Sequence, residues 1–223
     1  MSDSSIQRRM MVDCQLRTYD ITDARVLDAM GDVPREPFVS SSDRVLAYSD
    51  QCPAASEGPR GPETRYLLTP MVFARLLQAA EIKETDKVLD VAAGAGYSSA
   101  VLSRLAGSVV ALESDPALAE RATKILAEGG AQGVSVVQGS LAKGESSRGP
   151  YDVIVVNGAF QVEPTQLFAQ LSDGGRLVGV HGVGRAGRAM VYRKVGTSIG
   201  GRTVFDAAAP VLAEFTREPA FTF

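Results

Sequence analysis

The chain has no tryptophan, one histidine and two cysteines in 223 residues, and each scarcity closes off a class of chemistry. Zinc and iron centres draw on clustered His, Cys and carboxylates, and nothing around His181 has ligand spacing, so no metal ligands are predicted. A Ser-His-Asp hydrolase would have to build on that same histidine, which is read as a structural residue at a strand end. Cys14 and Cys52 read as reduced thiols, and Met1 to Ser5 lack the basic start and apolar run of a secretory signal. The expected location is therefore the cytoplasm. Apolar runs are too short for a membrane span. With 23 basic against 26 acidic residues the net charge is −3, which argues against nucleic acid or a lipid surface as partner.

What is present is apolar content of 45%, enough for one substantial core. The pattern divides into an N-terminal helical extension and loop, 1–80, and an α/β core, 81–223. Ile6 to Arg17 predicts a helix. Thr22 predicts the cap of a second one, with Asp23 in its first turn and Val26, Leu27 and Met30 on one face. Gln51 to Glu63, with its prolines and glycines, reads as a long loop. A helix then opens with Thr69 as cap, Pro70 at its first position, and Val72, Phe73, Leu76 and Leu77 facing inward.

From Lys87 strands and helices alternate. Strands are predicted at Lys87–Ala92, Val109–Glu113, Val134–Val137, Asp152–Asn157 and Arg176–Val180, with helices at Tyr97–Leu105, from Asp115-Pro116 to Gly129, and at Pro164–Leu171. Two further strands are expected around Gly200-Gly201. The order implies a Rossmann-like fold, a mostly parallel twisted sheet with helices on both faces.

The central motif is Val88-Leu-Asp-Val-Ala-Ala-Gly-Ala-Gly-Tyr97. An apolar strand ends in an acid, and a loop of small residues turns straight into a helix, whose amides are free to meet a ligand. A dinucleotide turn would want a third Gly or Ala where Ser99 stands. Asp90 suits a cationic amino-acid ligand better than a pyrophosphate. Glu113, ending the second strand, is placed to accept both hydroxyls of a ribose. Together these point to S-adenosylmethionine as cofactor, held by Asp90, Ala92, Gly94, Gly96, Tyr97 and Glu113. Ser140, which could meet the adenine or cap a turn, and Asn157, at the sheet's carboxyl edge or simply in a turn, complete the set.

These residues resemble the protein-L-isoaspartate O-methyltransferases over most of the chain. Met11-Val-Asp-Cys-Gln-Leu-Arg17, Ala24-Arg-Val-Leu-Asp-Ala-Met30 and Val33-Pro-Arg-Glu-Pro-Phe-Val39 are similar to that family's leader helices, and Asp90–Tyr97, Glu113, Tyr151–Asn157 and Gly174–Val178 follow in its order. The resemblance implies a donor site on Gly94, Gly96 and Glu113 and an acceptor entering over the loop before Pro70. Thr64-Arg-Tyr-Leu-Leu-Thr-Pro70 stands where the family has Gly-Gln-Thr-Ile-Ser-Gln-Pro, putting Leu68 at the acceptor-holding serine; Ala92 replaces a usual glycine and Ser140 a usual aspartate.

The expected reaction is methyl transfer to a carboxylate on a protein, peptide or small molecule, by a monomer or homodimer, with isoaspartyl repair left open by Leu68. Arg65 and Thr69 are the candidate acceptor-side residues. Arg65 or Arg60 would hold the carboxylate as a bidentate fork, unless both are solvated loop arginines. On the first reading Arg65→Ala weakens acceptor binding and leaves donor affinity alone. The rival readings are a non-catalytic S-adenosylmethionine-binding sensor or interaction module on the same fold, and a nicotinamide-dependent oxidoreductase.

Overall fold

A computed structural model describes residues 3–217. Seven strands form one sheet in the order β3-β2-β1-β4-β5-β6-β7. They are β1 (Lys87–Val91), β2 (Ser108–Glu113), β3 (Val134–Gln138), β4 (Tyr151–Phe160), β5 (Leu171–His181), β6 (Arg188–Val195) and β7 (Ser198–Asp206). The first five are parallel; β6 and β7 add on antiparallel. The helices are α1 (Asp3–Met10), α2 (Ala24–Asp32), α3 (Pro70–Ala80), α4 (Tyr97–Leu102), α5 (Pro116–Glu128) and α6 (Thr165–Ala169).

Alternate strand residues feed opposite faces. Val88, Val109, Val153 and Val178 join α2 to α5 and the segment from Met11 onward in one continuous core. Leu89, Val110, Ile154 and Leu177 form the other, covered by α6 and the C-terminal Leu212 and Phe215. The second cover is thin: one five-residue helix and chain without regular structure.

Local differences from the expected pattern have local causes. The N-terminal helix passes at Met11 into a π-helical stretch, Met11–Leu16, and then a 3₁₀ turn. Asp23, not Thr22, caps α2, its carboxylate accepting from Arg25 and Val26 amides; the Thr22 amide goes instead to Gln78 Oε1, 2.8 Å away. The β6–β7 turn lies at Gly196, because Gly201 sits within β7 and leaves the space that the Tyr192 ring fills. Gly196-Thr-Ser-Ile-Gly200 has the spacing of a nucleophile elbow, but it forms this hairpin and not a strand-to-helix turn. β4 runs on to Phe160 past a bulge after Val155, and Ala159 then pairs with Val211. That pairing lays the C-terminal segment along the sheet's carboxyl edge.

Arg176 ties the sheet to the end of α3. Its guanidinium donates to the carbonyls of Ala80 and Glu81 and pairs with Asp86 at 2.7 Å, with both side chains buried. Arg176→Met keeps the bulk but leaves Asp86 without its cation. An expected loss of about 3 kcal/mol would be read from the urea unfolding midpoint.

Candidate active site

The strand order reverses between β1 and β4, and at such a switch point the loops leave opposite ways and open a cleft at the carboxyl ends. Along that edge stand, in sheet order, Ser140 after β3, Glu113 ending β2, Asp90 in β1 and Asn157 in β4.

Asp90 is fully buried. It accepts from Ser98 Oγ at 2.6 Å, Ser99 Oγ at 2.5 Å and Asn157 Nδ2 at 2.6 Å. Burial pushes its carboxyl up to about 6, against these three hydrogen bonds, and the nearby Glu113 charge adds to the rise. Ser99, the residue that breaks a dinucleotide pattern, thus serves the strand-end acid. Asn157 also donates to the Val91 carbonyl at 3.0 Å and so pins the β1 end to β4.

The turn out of β1 is left-handed at Ala92 (φ 60°), Gly94 (φ 57°) and Gly96 (φ 100°). A Cβ on Gly94 would lie 3.9 Å from Arg65 Cβ, so the loop rests directly on the turn. Gly96 faces the other way: a Cβ there would meet Leu126 at 3.0 Å, making this glycine a packing requirement of α5. Tyr97 is likewise a core residue, its ring set against Phe38 and Phe73 with the Arg35 guanidinium 4.6 Å from its centroid.

Glu113 is fully buried too. Oε2 accepts from the Gly94 amide at 2.8 Å, and Oε1 from the Ser114 and Asp115 amides at 2.8 and 3.0 Å. Oε1 also receives Arg65 Nε at 3.1 Å, while Arg65 Nη2 donates to Ser114 Oγ. Arg65 is 3% exposed, so it is neither a solvated loop residue nor a free fork for an acceptor. Arg60 is engaged by Asp43 at 2.6 Å. Thr69 caps α3, its Oγ1 accepting from the Val72 amide at 3.4 Å.

The loop itself is tied down. Ala54 pairs with Tyr66, the Ala55 amide donates to the Arg65 carbonyl, and the Leu67 amide to that of Pro53. Arg35, fully buried, donates to the Leu68 carbonyl at 2.9 Å. The space left between this loop and the turn after β1 is only about 20 Å³.

Ser140 donates to Glu214 Oε2 at 2.6 Å, and Glu214 also accepts from the Leu141 and Ala142 amides. Sequence reasoning missed Glu214, which carries no local motif and reaches the site only through the Ala159–Val211 pairing. It also missed Arg35, and the role of Ser98 and Ser99; two hydroxyls in the first turn of α4, facing back toward a strand-end acid, were the available signal. His181 stacks on Phe160, centroids 5.3 Å apart, and meets the Tyr192 hydroxyl at 3.3 Å.

Two outcomes follow from the buried turn. Ala92 holds a conformation that disfavours a Cβ, so Ala92→Gly should stabilise the fold by about 0.5–1 kcal/mol, seen as a higher melting temperature. Asp90 titrates from 3.8 unfolded to about 6 folded. The native state therefore holds an extra proton between these values, and its share of stability, present below about pH 3.8, is lost as pH rises through about 6. Asp90→Asn should remove that slope, on the order of 2–3 kcal/mol, from unfolding free energies measured at pH 4 to 7.

The family model of protein-L-isoaspartate(D-aspartate) O-methyltransferase matches residues 7–207. A protein-L-isoaspartate O-methyltransferase of Protochlamydia amoebophila (strain UWE25) is 42% identical over 168 residues, 75% of this chain and 77% of its own. That of Roseiflexus sp. (strain RS-1) is 39% identical over 176 residues, 79% and 78% of the two chains. A solved protein-L-isoaspartate O-methyltransferase superposes with a TM-score of 0.79 at 25% identity, over 92% of this chain and 65% of that one. A Plasmodium falciparum protein, solved in complex with S-adenosyl-L-homocysteine, shares the fold with a TM-score of 0.74 at 16% identity, over 96% and 100% of the two chains. This chain belongs to the protein-L-isoaspartate O-methyltransferase family, and so to the S-adenosylmethionine-dependent methyltransferases.

Proposed function

We propose that the chain methylates a carboxylate on proteins or peptides, with the isoaspartyl side chain as acceptor and protein repair in the cytoplasm as its setting. The observation that carries the reading is the pair of buried strand-end acids, Asp90 and Glu113, flanking a left-handed turn whose Gly94 amide bonds Glu113. The groups fit an adenosyl amino acid in kind. Glu113 offers a carboxylate to hydroxyls, and the 141–142 amides offer donors to a purine edge. Both cysteines are free thiols, which suits a reducing compartment. No helix among the described residues is long and apolar enough to cross a membrane.

S-adenosylmethionine, when bound, supplies a methyl already activated on a sulfonium, with a neutral thioether as leaving group. A carboxylate acceptor is ionised at neutral pH, so the protein needs no general base, in keeping with a histidine packed away against Phe160. What the protein contributes is alignment and exclusion of water. The loop 64–68, its Leu68 carbonyl fixed by Arg35 and its far end by the Thr69–Pro70 start of α3, forms the wall of the cleft. Leu67 and Leu68 are buried there and supply an apolar surface where the family carries a serine, so the acceptor would be held by backbone and by shape.

The test is transfer of labelled methyl to an isoaspartyl peptide and to its aspartyl counterpart. Base-labile label on the isoaspartyl peptide alone is the expected result; label on other carboxylates only would refute the acceptor. Glu113→Ala should weaken donor binding about tenfold or more in calorimetry, since it removes a charged hydrogen-bond acceptor.

A further inference from the structure

Each group that would recognise a nucleoside in the cleft is already held by the chain's own residues. Glu113, the acceptor for ribose hydroxyls, carries Arg65, whose Nε donates at 3.1 Å as a hydroxyl would. The Leu141 and Ala142 amides, next along the sheet edge, donate to Glu214 at 3.1 and 3.2 Å, the bonds that purine ring nitrogens would accept. β3 adjoins β2, and the Gly139 amide donates to the Glu113 carbonyl at 2.9 Å, so the two sets of groups are neighbours. Arg65 and Glu214 are also of opposite sign. Burial opposes ionisation of Glu214, yet the Ser140 hydroxyl, the two amides and the Arg65 charge hold its carboxyl below the ordinary value. Next to these groups, the cavity between the loop and the turn, lined by Leu67, Leu68, Gly94 and Asn157, holds about 20 Å³.

We propose that Arg65 and Glu214 form an internal latch that mimics the bound nucleoside, so that the donor must displace both before it can bind. This rests on the donor reading above. The latch couples the two substrates, because Arg65 belongs to the same five-residue loop, 64–68, that walls the acceptor side. Donor entry breaks the Arg65–Glu113 pair, frees that loop and releases a guanidinium beside the acceptor path. Binding is then ordered, donor first, and the resting chain is closed to both substrates. The segment belongs to no helix or sheet strand, and its ties are the Ala54–Tyr66 pairing, the backbone bonds to Pro53 and Ala55, the Arg35 bond to the Leu68 carbonyl, and Arg65. A protein whose bound-competent form is a minor fraction binds its ligand more weakly by that fraction, and removing the closed form returns the difference.

The experiment is calorimetric titration of S-adenosylmethionine into the wild-type chain, Arg65→Ala and Glu214→Ala, with hydrogen exchange on the wild type with and without donor. Each variant is expected to bind the donor about tenfold more tightly or better. Exchange should rise over residues 64–68 and fall over 92–97 when donor is added. Glu214 is only half-buried, so its variant keeps the test alive should Arg65→Ala fail to fold. Variants that bind no better than the wild type, or a loop that becomes more protected with donor, would overturn the latch while leaving the donor site standing. If none of the three chains binds the donor, the latch and the donor reading fall together.

Discussion

Two carboxylates buried at the ends of adjacent parallel strands set the terms for everything around them. A carboxylate taken out of water costs several kcal/mol unless its lone pairs are filled, and the sheet edge is built to fill them. Asp90 is served by neutral donors alone, two hydroxyls from α4 and the Asn157 amide. Burial raises its proton affinity, and these donors offset only part of that rise. Glu113 is served by three backbone amides and a guanidinium. The turn after β1 takes its shape from the same need, because the Gly94 amide reaches Glu113 only when the chain doubles back through left-handed residues.

The N-terminal third of the chain packs into the main core and also holds one loop over that turn. Arg35 reaches the Ala47 and Leu68 carbonyls, and Arg121 on α5 reaches those of Pro37, Val39 and Ala55. Arginines that bond carbonyls stitch irregular chain to a helical layer without requiring carboxylate partners. The loop can therefore be long and rich in proline and glycine and still be placed to within a hydrogen bond. Chemistry that consists of lining up an activated methyl with an ionised acceptor gains most from such placement.

A cleft closed on itself also answers a stability problem. Arg65 gives Glu113 a donor beside its three amides, and Glu214 gives the amides after β3 an acceptor, so in the resting chain these groups are satisfied without water. On the latch reading a donor has to compete with both. Stability of the empty protein and affinity for the donor are thus opposed at the same few atoms.

The alternation of strands and helices, the Thr69-Pro70 and Asp115-Pro116 helix starts, and the Asp90-to-Tyr97 turn were all legible in the sequence, because each depends on neighbours within one or two turns of chain. The place of Glu113 at the carboxyl edge was legible for the same reason: a strand's last residue lies at the sheet edge wherever the strand goes. The residues that meet these groups were not. Arg65 lies 48 positions from Glu113, Asn157 is 67 from Asp90, and Glu214 is 74 from Ser140. Charge and hydrogen-bonding capacity in a sequence say that a partner is needed, and only the crossing of the chain over its own sheet decides which residue arrives.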